Sequence, residues 1–379
     1  MLVATESSGD ILGANLIAAL RARLGPDVRF VGVGGPRIIA EGIVSPFDPA
    51  SLALIGVFNA VAAWPRVRRR VRETADLARK ERPDAAILID AWGFNVRVAH
   101  ALRRVDPTMK LIKYVAPQVW ATRAGRARTL ARAVDHLLTI HAFDAPYFEA
   151  KGLPTTFVGN PALARDFSGA DPARFRGQIG AAKDDPILLV LPGSRRGEIE
   201  RLMPPFQEAI AKLMIERPRL KVAIAAAPSV AGEIRARVAS RPSPVRVIEG
   251  EGAHRDAMLA ATAALACSGT VTTELALAGC PMVVAYRLGP LTAAVAKRLI
   301  RTPHITLFNV AAQAFVAPEL VQNACTGSAL AAQVGRLLDN PQARAAQIAG
   351  QSAALATMRG DIADPIAAAA DAVVKILKN

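Results

Sequence analysis

The sequence predicts an α/β protein built from two Rossmann-like domains, each a parallel sheet flanked by helices, and three observations predict it. Short β-rich runs alternate with helical patterns over most of the chain, which is the signature of parallel βα units. The length of 379 residues exceeds what one ordinary core accommodates. After Asn160-Pro161 the composition shifts to FSGADPARFRGQIGAAKDDP, a polar stretch rich in Gly, Asp and Pro that reads as a linker between two series of strands.

The first series opens with MLVATESSGDILGANLIAAL. Leu2 to Ala4 form a strand, TESSGD a tight loop, and Ile11, Leu12, Leu16, Ile17 and Leu20 one face of a helix. In α/β folds such a loop lies at the carboxyl edge of the sheet, where ligands bind. It has neither the G-x-G-x-x-G pattern nor a Lys-Ser/Thr phosphate cradle, and the carboxylates of Glu6 and Asp10 would repel phosphate. The loop suits hydroxyls better than phosphates. This first strand is short, which leaves room for a natural start upstream of Met1. Further strands are expected at 29–33, 85–90, 110–115, 136–139 and 156–158. The second series is expected at 187–191, 221–225, 245–248, 263–267 and 282–286, and from Ser328 onward the pattern is helical. The cleft between two such domains is the default site.

Composition narrows the function classes. A balance of 47 Lys+Arg against 32 Asp+Glu gives +15, a surface that attracts nucleic acid, anionic lipid or phosphorylated substrates. No nucleic-acid recognition motif accompanies it, and the Arg clusters adjoin apolar residues rather than stacking aromatics. Cys267, Cys280 and Cys325 form no C-x-x-C pair and no even disulfide set, which fits a reducing cytosol. No apolar run approaches the length of about 18 residues that a membrane span needs. The five His residues lack metal-ligand spacing and no D-x-D occurs, so neither a metal nor a cofactor is expected.

Three motifs carry chemistry. In LVLPGSRRGEIE a buried strand ends at Leu191, Pro192-Gly193-Ser194 turn tightly, and Arg195 precedes a helix that Glu198 helps to cap. Small turn residues expose N–H groups, a helix start favours an anion, and an Arg fork grips phosphate oxygens. The alternative is an ordinary βα turn with surface arginines. CSGTVTTELALAGCPMVV repeats the logic, with Ser268, Gly269 and Thr270 at a helix start and Glu274 one turn in, placed either for ribose hydroxyls or merely for the helix dipole. Two such loops in one domain point to a nucleoside diphosphate. LIDAWGFN ends a strand of the other domain on Asp90, which is either a partly desolvated general base or a helix cap.

The segment 52–80 sets Leu54, Val57, Phe58 and Trp64 beside Arg68, Arg69 and Arg70, an apolar and basic combination that suits an anionic bilayer surface or, more plainly, a core helix with a solvated basic end. RAGRARTLAR adds a second basic patch.

Taken together, SGDILGANLIAAL, FVGVGGPR, LIGV, IDAWGFN, YVAPQVWA, LPGSRRGEIE, SGTVTTELALAGCPMVVAYR, AKRLI and PELVQ, in this order, resemble the lipid-A-disaccharide synthase family. The resemblance runs from Thr5 to about Asn323. It implies a GT-B glycosyltransferase, with two facing Rossmann-like domains, a central cleft and trailing helices, at the cytoplasmic face of the inner membrane. The implied domains are 1–162 on the acceptor side, 163–345 for the UDP-sugar, and 346–379 as helices packing back on the first. The implied reaction moves 2,3-diacylglucosamine from UDP to the 6-hydroxyl of 2,3-diacylglucosamine 1-phosphate, lipid X, with inversion and without metal.

Matched residue by residue, Asp90 takes the place of the family's proposed base and Glu6 that of the acidic residue in its first loop. Arg195 matches its phosphate-binding Arg and Glu274 its ribose-binding Glu, while Asn309 and Gln322 match polar residues on the UDP side. Gly193, Ser194, Ser268, Gly269 and Thr270 complete the diphosphate site, and Ser8, Asp10 and Asn95 are expected on the acceptor side. The chain departs from the family pattern at Thr5, Trp92, Gly93, Thr122, Asn160 and Phe308, so the UDP half is kept better than the acceptor half. A divergent paralogue with another acceptor, a different UDP-sugar transferase or an epimerase of the same fold therefore stays open. So does the oligomeric state, a homodimer included.

Overall fold

The computed structural model describes residues 1–53, 60–239, 245–289, 293 and 302–378. The chain divides into two compact units, one of Met1–Pro161 with Arg359–Asn379 and one of Ala162–Met358.

In the first unit, β1 (Leu2–Ala4), β2 (Gly32–Val33), β3 (Ala85–Ile89), β4 (Lys110–Tyr114), β5 (His136–Thr139) and β6 (Thr155–Phe157) form an all-parallel sheet in the order β2-β1-β3-β4-β5-β6. The central strands read as unbroken apolar runs because both faces are covered: AAILI of β3 is buried throughout. On one face Leu16, Ile17 and Leu20 of α1 (Ser7–Leu24) meet Ala369, Ala370 and Val373 of the last helix, Pro365–Lys378. On the other face Val98 and Leu102 of α5 (Trp92–Val105) pack with Leu88 and Leu111. Fully burying each Val, Leu or Ile side chain among these contributes roughly 1.5–3 kcal/mol.

The second unit carries β7 (Ile187–Leu191), β8 (Lys221–Ala225), β9 (Val245–Ile248), β10 (Ala263–Cys267), β11 (Met282–Tyr286) and β12 (Glu319–Val321), parallel in the order β12-β11-β10-β7-β8-β9. Its faces bury Ile199, Phe206 and Leu213 of α9 (Arg196–Glu216) on one side, and Leu275, Met282, Phe308 and Leu355 on the other.

Strand order matters for function because it reverses between β1 and β3 in one sheet and between β7 and β10 in the other. The loops leaving those strands are the expected ligand loops of a doubly wound fold.

The strand expectations fail in three informative places. The strand expected at 29–33 shrinks to two residues, because a Cβ at Gly32 would lie against the Leu2 backbone and this close approach at the sheet edge supports little ladder. Asp90 and Val115 leave their strands because both turn left-handed, at φ 51 and 73. The edge strand β12 was anticipated only as a motif, since three half-buried residues carry no periodicity. Of the residues expected at a membrane surface, Leu54, Val57 and Phe58 lie outside the described residues, as does the AKRLI segment. Among the described residues no helix is long and apolar enough to cross a membrane.

Candidate active site

The loop after β1 and the loop after β3 meet at the reversal point of the first sheet. Ser8, in the first turn of α1, donates from Oγ to Asp90 Oδ2 at 2.8 Å. Asp90 is half-buried, and Glu6, the N-cap of α1, is exposed. Asp90 and Ala91 are consecutive left-handed residues, at φ 51 and 39. A non-glycine residue held there costs on the order of 1–3 kcal/mol, and such strain persists only where its surroundings over-determine it. Asn95 supplies part of that support: it is completely buried, and its Nδ2 donates to Ile89 O at 2.8 Å and Asp90 O at 2.9 Å.

Two acceptor-side expectations are corrected here. Asn95 serves the Asp90 turn from beneath instead of presenting its amide to a sugar. Asp10, 6 % exposed, accepts from the N–H groups of Gly35, Arg37 and Ile38 at 2.8, 2.9 and 3.1 Å, which makes it the cap of α2 (Pro36–Ala40). Both its oxygens are engaged, and sequence distance hid the donors.

Next to this turn, the YVAPQVWA segment is tied down by a buried acid. Asp144 accepts from Trp120 Nε1 at 3.0 Å and Thr139 Oγ1 at 2.8 Å, and burial pushes its carboxyl up to about 7. His141 stacks on Phe143, and its burial holds the imidazole down at about 4.

At the reversal point of the second sheet the two expected loops line one cavity of about 340 Å³. Gly193, Ser194 and Arg195 come from the loop after β7, Ser268 and Gly269 from the loop after β10, and Thr270 and Glu274 from α12 (Thr270–Leu277). Gly193 adopts φ 115, and a Cβ there would collide with Glu198. Glu198 in turn accepts from Ser194 N at 3.0 Å and Arg195 N at 3.2 Å. The N–H groups expected around Gly193 for an anion are therefore engaged by this carboxylate. Those of Gly269, Thr270 and Val271 have no acceptor among the described residues, so the start of α12 is where an anion finds donors. Arg195 itself is 83 % exposed, with Glu198 at 3.5 Å.

Glu274 is paired with Arg165, and burial raises its carboxyl while that guanidinium opposes the shift. His254 also lines the cavity, its ring held below the usual range by burial. Neither Arg165 nor His254 was singled out from the sequence, because neither stands in a motif. Asn309 and Gln322 are not among the lining residues. Asn309 is completely buried, donating to Ala317 O and Glu319 Oε1 and accepting from Ala317 N, which corrects its expected place beside UDP. Gln322 opens the turn after β12 at φ 54. No three His, Cys, Asp or Glu side chains among the described residues are grouped as a metal site requires.

The basic helix α4 (Ala60–Glu81) separates its arginines into two kinds. Arg68 and Arg72 are exposed, whereas Arg70 pairs with Glu73 at 2.7 Å and lies 4.7 Å over the Phe47 ring. Arg70 is thus a packing residue and not the surface cation expected. Arg69 is 3.5 Å from Glu73. Trp64 is 45 % exposed beneath the guanidinium of Arg97, and Arg126 stacks likewise on Trp92.

The family model described as lipid-A-disaccharide synthetase matches residues 1–371. The lipid-A-disaccharide synthase of Rhodospirillum centenum is 43 % identical over 377 residues, 99 % of this chain and 94 % of that protein. That of Paramagnetospirillum magneticum is 41 % identical, covering 100 % and 97 %. Among solved structures, the S. aureus MnaA–UDP co-structure has a TM-score of 0.66 at 13 % identity, covering 100 % of this chain and 95 % of that one. The glycotransferase of kitacinnamycin gives 0.62 at 18 %, covering 99 % and 98 %. These structures share the two-domain GT-B fold. With its full-length match to the family model and to these relatives, the chain belongs to the lipid-A-disaccharide synthetase family and is a glycosyltransferase of lipid A biosynthesis.

Proposed function

We propose that the chain transfers 2,3-diacylglucosamine from UDP to the 6-hydroxyl of lipid X, giving lipid A disaccharide 1-phosphate and UDP. The observation that carries this reading is the cavity between the β7 and β10 loops. It offers the contacts a nucleoside diphosphate asks for: open N–H groups at a helix start, an exposed Arg fork and a buried-edge carboxylate for ribose. The MnaA structure, similar in fold, was solved with UDP. In the proposed step Asp90 takes the proton of the acceptor hydroxyl while the anomeric C–O bond to UDP breaks, through an oxocarbenium-like transition state. Ser8 orients the Asp90 carboxylate from its second oxygen, leaving Oδ1 for the acceptor. Arg195 and the start of α12 take up charge on the departing diphosphate. Glu6, the N-cap of α1 two residues before Ser8, orients the acceptor.

Mass spectrometry of the products from UDP-2,3-diacylglucosamine and lipid X tests the reading. A disaccharide 1-phosphate equimolar with released UDP is expected. UDP release without lipid X consumption would point instead to another acceptor.

The acyl chains of both substrates call for a lipid surface, and in this reading Trp64, Arg68 and Arg72, exposed on α4, contact it at the cytoplasmic face of the inner membrane. Each basic residue near an anionic surface contributes about 1 kcal/mol. The double change Arg68→Glu, Arg72→Glu is expected to release the protein from vesicles containing anionic lipid in a sedimentation assay, while turnover of detergent-dispersed substrates stays near the parent's. Vesicle binding that survives this change would reduce the patch to a solvated helix face.

A further inference from the structure

Lys113 lies within β4 and is 1 % exposed. An ammonium in such a place is costly unless it is fully hydrogen-bonded. Its Nζ carries three donors, and the structure supplies three acceptors, all main-chain carbonyls: Leu88 at 3.2 Å, Asp90 at 2.6 Å and Tyr114 at 3.0 Å. They sit where β3 and β4 end and where Asp90, Ala91 and Val115 turn left-handed. The charged groups facing Nζ are the carboxylates of Asp90, at the end of β3, and Glu6, in the loop after β1. On its other side β5 sets the apolar Leu137 opposite Lys113. An apolar side chain of similar length would fill this space without the desolvation penalty, so packing alone gives no reason for a lysine.

We propose that Lys113 is the positioning residue of Asp90: its ammonium clamps the left-handed turn that aims the carboxylate and places a positive charge beneath the base. The proposal rests on the reading of Asp90 as the general base. Asn95 grips the same Asp90 carbonyl from α5, so the turn is held from two elements at once. Lys113 adds what Asn95 does not, a charge that depends on pH.

Burial lowers the Lys113 ammonium to about 7. As pH rises through that value the proton leaves Nζ, and with it go the charge and one of the three hydrogen bonds. Turnover then declines on the alkaline side, while UDP binding, made by the second sheet, does not follow it.

The test is a pH–rate profile of the intact enzyme and of Lys113→Met, with UDP affinity and melting temperature measured alongside. The parent's kcat should decline from about pH 7 to about pH 9. Lys113→Met should lower kcat at neutral pH by roughly 10- to 100-fold, the scale of a lost hydrogen bond to a charged group, with UDP affinity unchanged and the alkaline decline gone. Lys113→Gln keeps a donor without the charge; it should lie between the two and serves if the Met variant does not fold. A parent profile flat across this range, or a decline that survives in the variants, overturns the proposal. Asp90→Asn is run in parallel. If it keeps parent turnover, the reading of Asp90 as base is what fails; if it loses turnover while Lys113→Met retains it, the Lys113 proposal alone fails.

Discussion

Replacing Asp90 by Asn should lower turnover by about 10² to 10⁴, the range a positioned general base contributes. The substitution keeps the size of the side chain and removes its basicity. Ser8 Oγ can still donate to the Asn oxygen, and the main-chain carbonyl held by Lys113 and Asn95 is untouched. The turn therefore survives, and the melting temperature should stay close to the parent's. UDP affinity should also hold, since no residue of the first sheet lines the cavity between the β7 and β10 loops. Steady-state kinetics with calorimetry of UDP binding separates these quantities. Near-parent turnover in Asp90→Asn, with chemistry shown to limit the rate, would make Asp90 a structural turn residue and direct the search to Glu6.

Arg195→Ala has the next largest expected effect, and it falls on different observables. Charge-assisted hydrogen bonds to a diphosphate are worth about 1.5–3 kcal/mol, so UDP should bind roughly 10- to 100-fold more weakly. Because the same charge acts in the ground and transition states, kcat/KM should fall at least as far. Folding should not suffer. The guanidinium is 83 % exposed, and the turn is held by Glu198 on the main-chain N–H groups of Ser194 and Arg195, which an Ala keeps. Unchanged UDP affinity by calorimetry would remove Arg195 from the diphosphate site.

The two sheets were legible because their central strands are short apolar runs bounded by turn residues, and β7 and β10, buried at all five positions, were placed to the residue. The β7 and β10 loops were legible for a related reason: small residues, a charge and a helix start are local features. Asp10 and Asn309 are misplaced because residue type is right and the partners lie outside their motifs, whereas Asn95 turns back on carbonyls of its own motif. Their hydrogen bonds run to Gly35 and Ile38, to Ile89 O and Asp90 O, and to Ala317 and Glu319. The place of Lys113 is hidden because its partners Leu88 and Asp90 are far away in sequence. In KLIKY it looks like one of two charged residues on a strand, and only the carbonyls that β3 brings alongside turn it into a buried cation. Arg70 shows the converse: a run of arginines reads as one patch, yet Phe47 and Glu73 draw this member inward.

The two units differ in how they are assembled in time. Ala162–Met358 is one uninterrupted stretch, so its core can close as soon as that stretch is available. The first unit takes Met1–Pro161 together with Arg359–Asn379, and Leu16, Ile17 and Leu20 of α1 wait for Ala369, Ala370 and Val373 from the last helix. A chain leaving the ribosome emerges from its N-terminus at about 5–20 residues per second. The unit that carries Asp90 is consequently begun before the other and completed after it, because its sheet waits for the helix of Pro365–Lys378, and the second unit has time to fold in between.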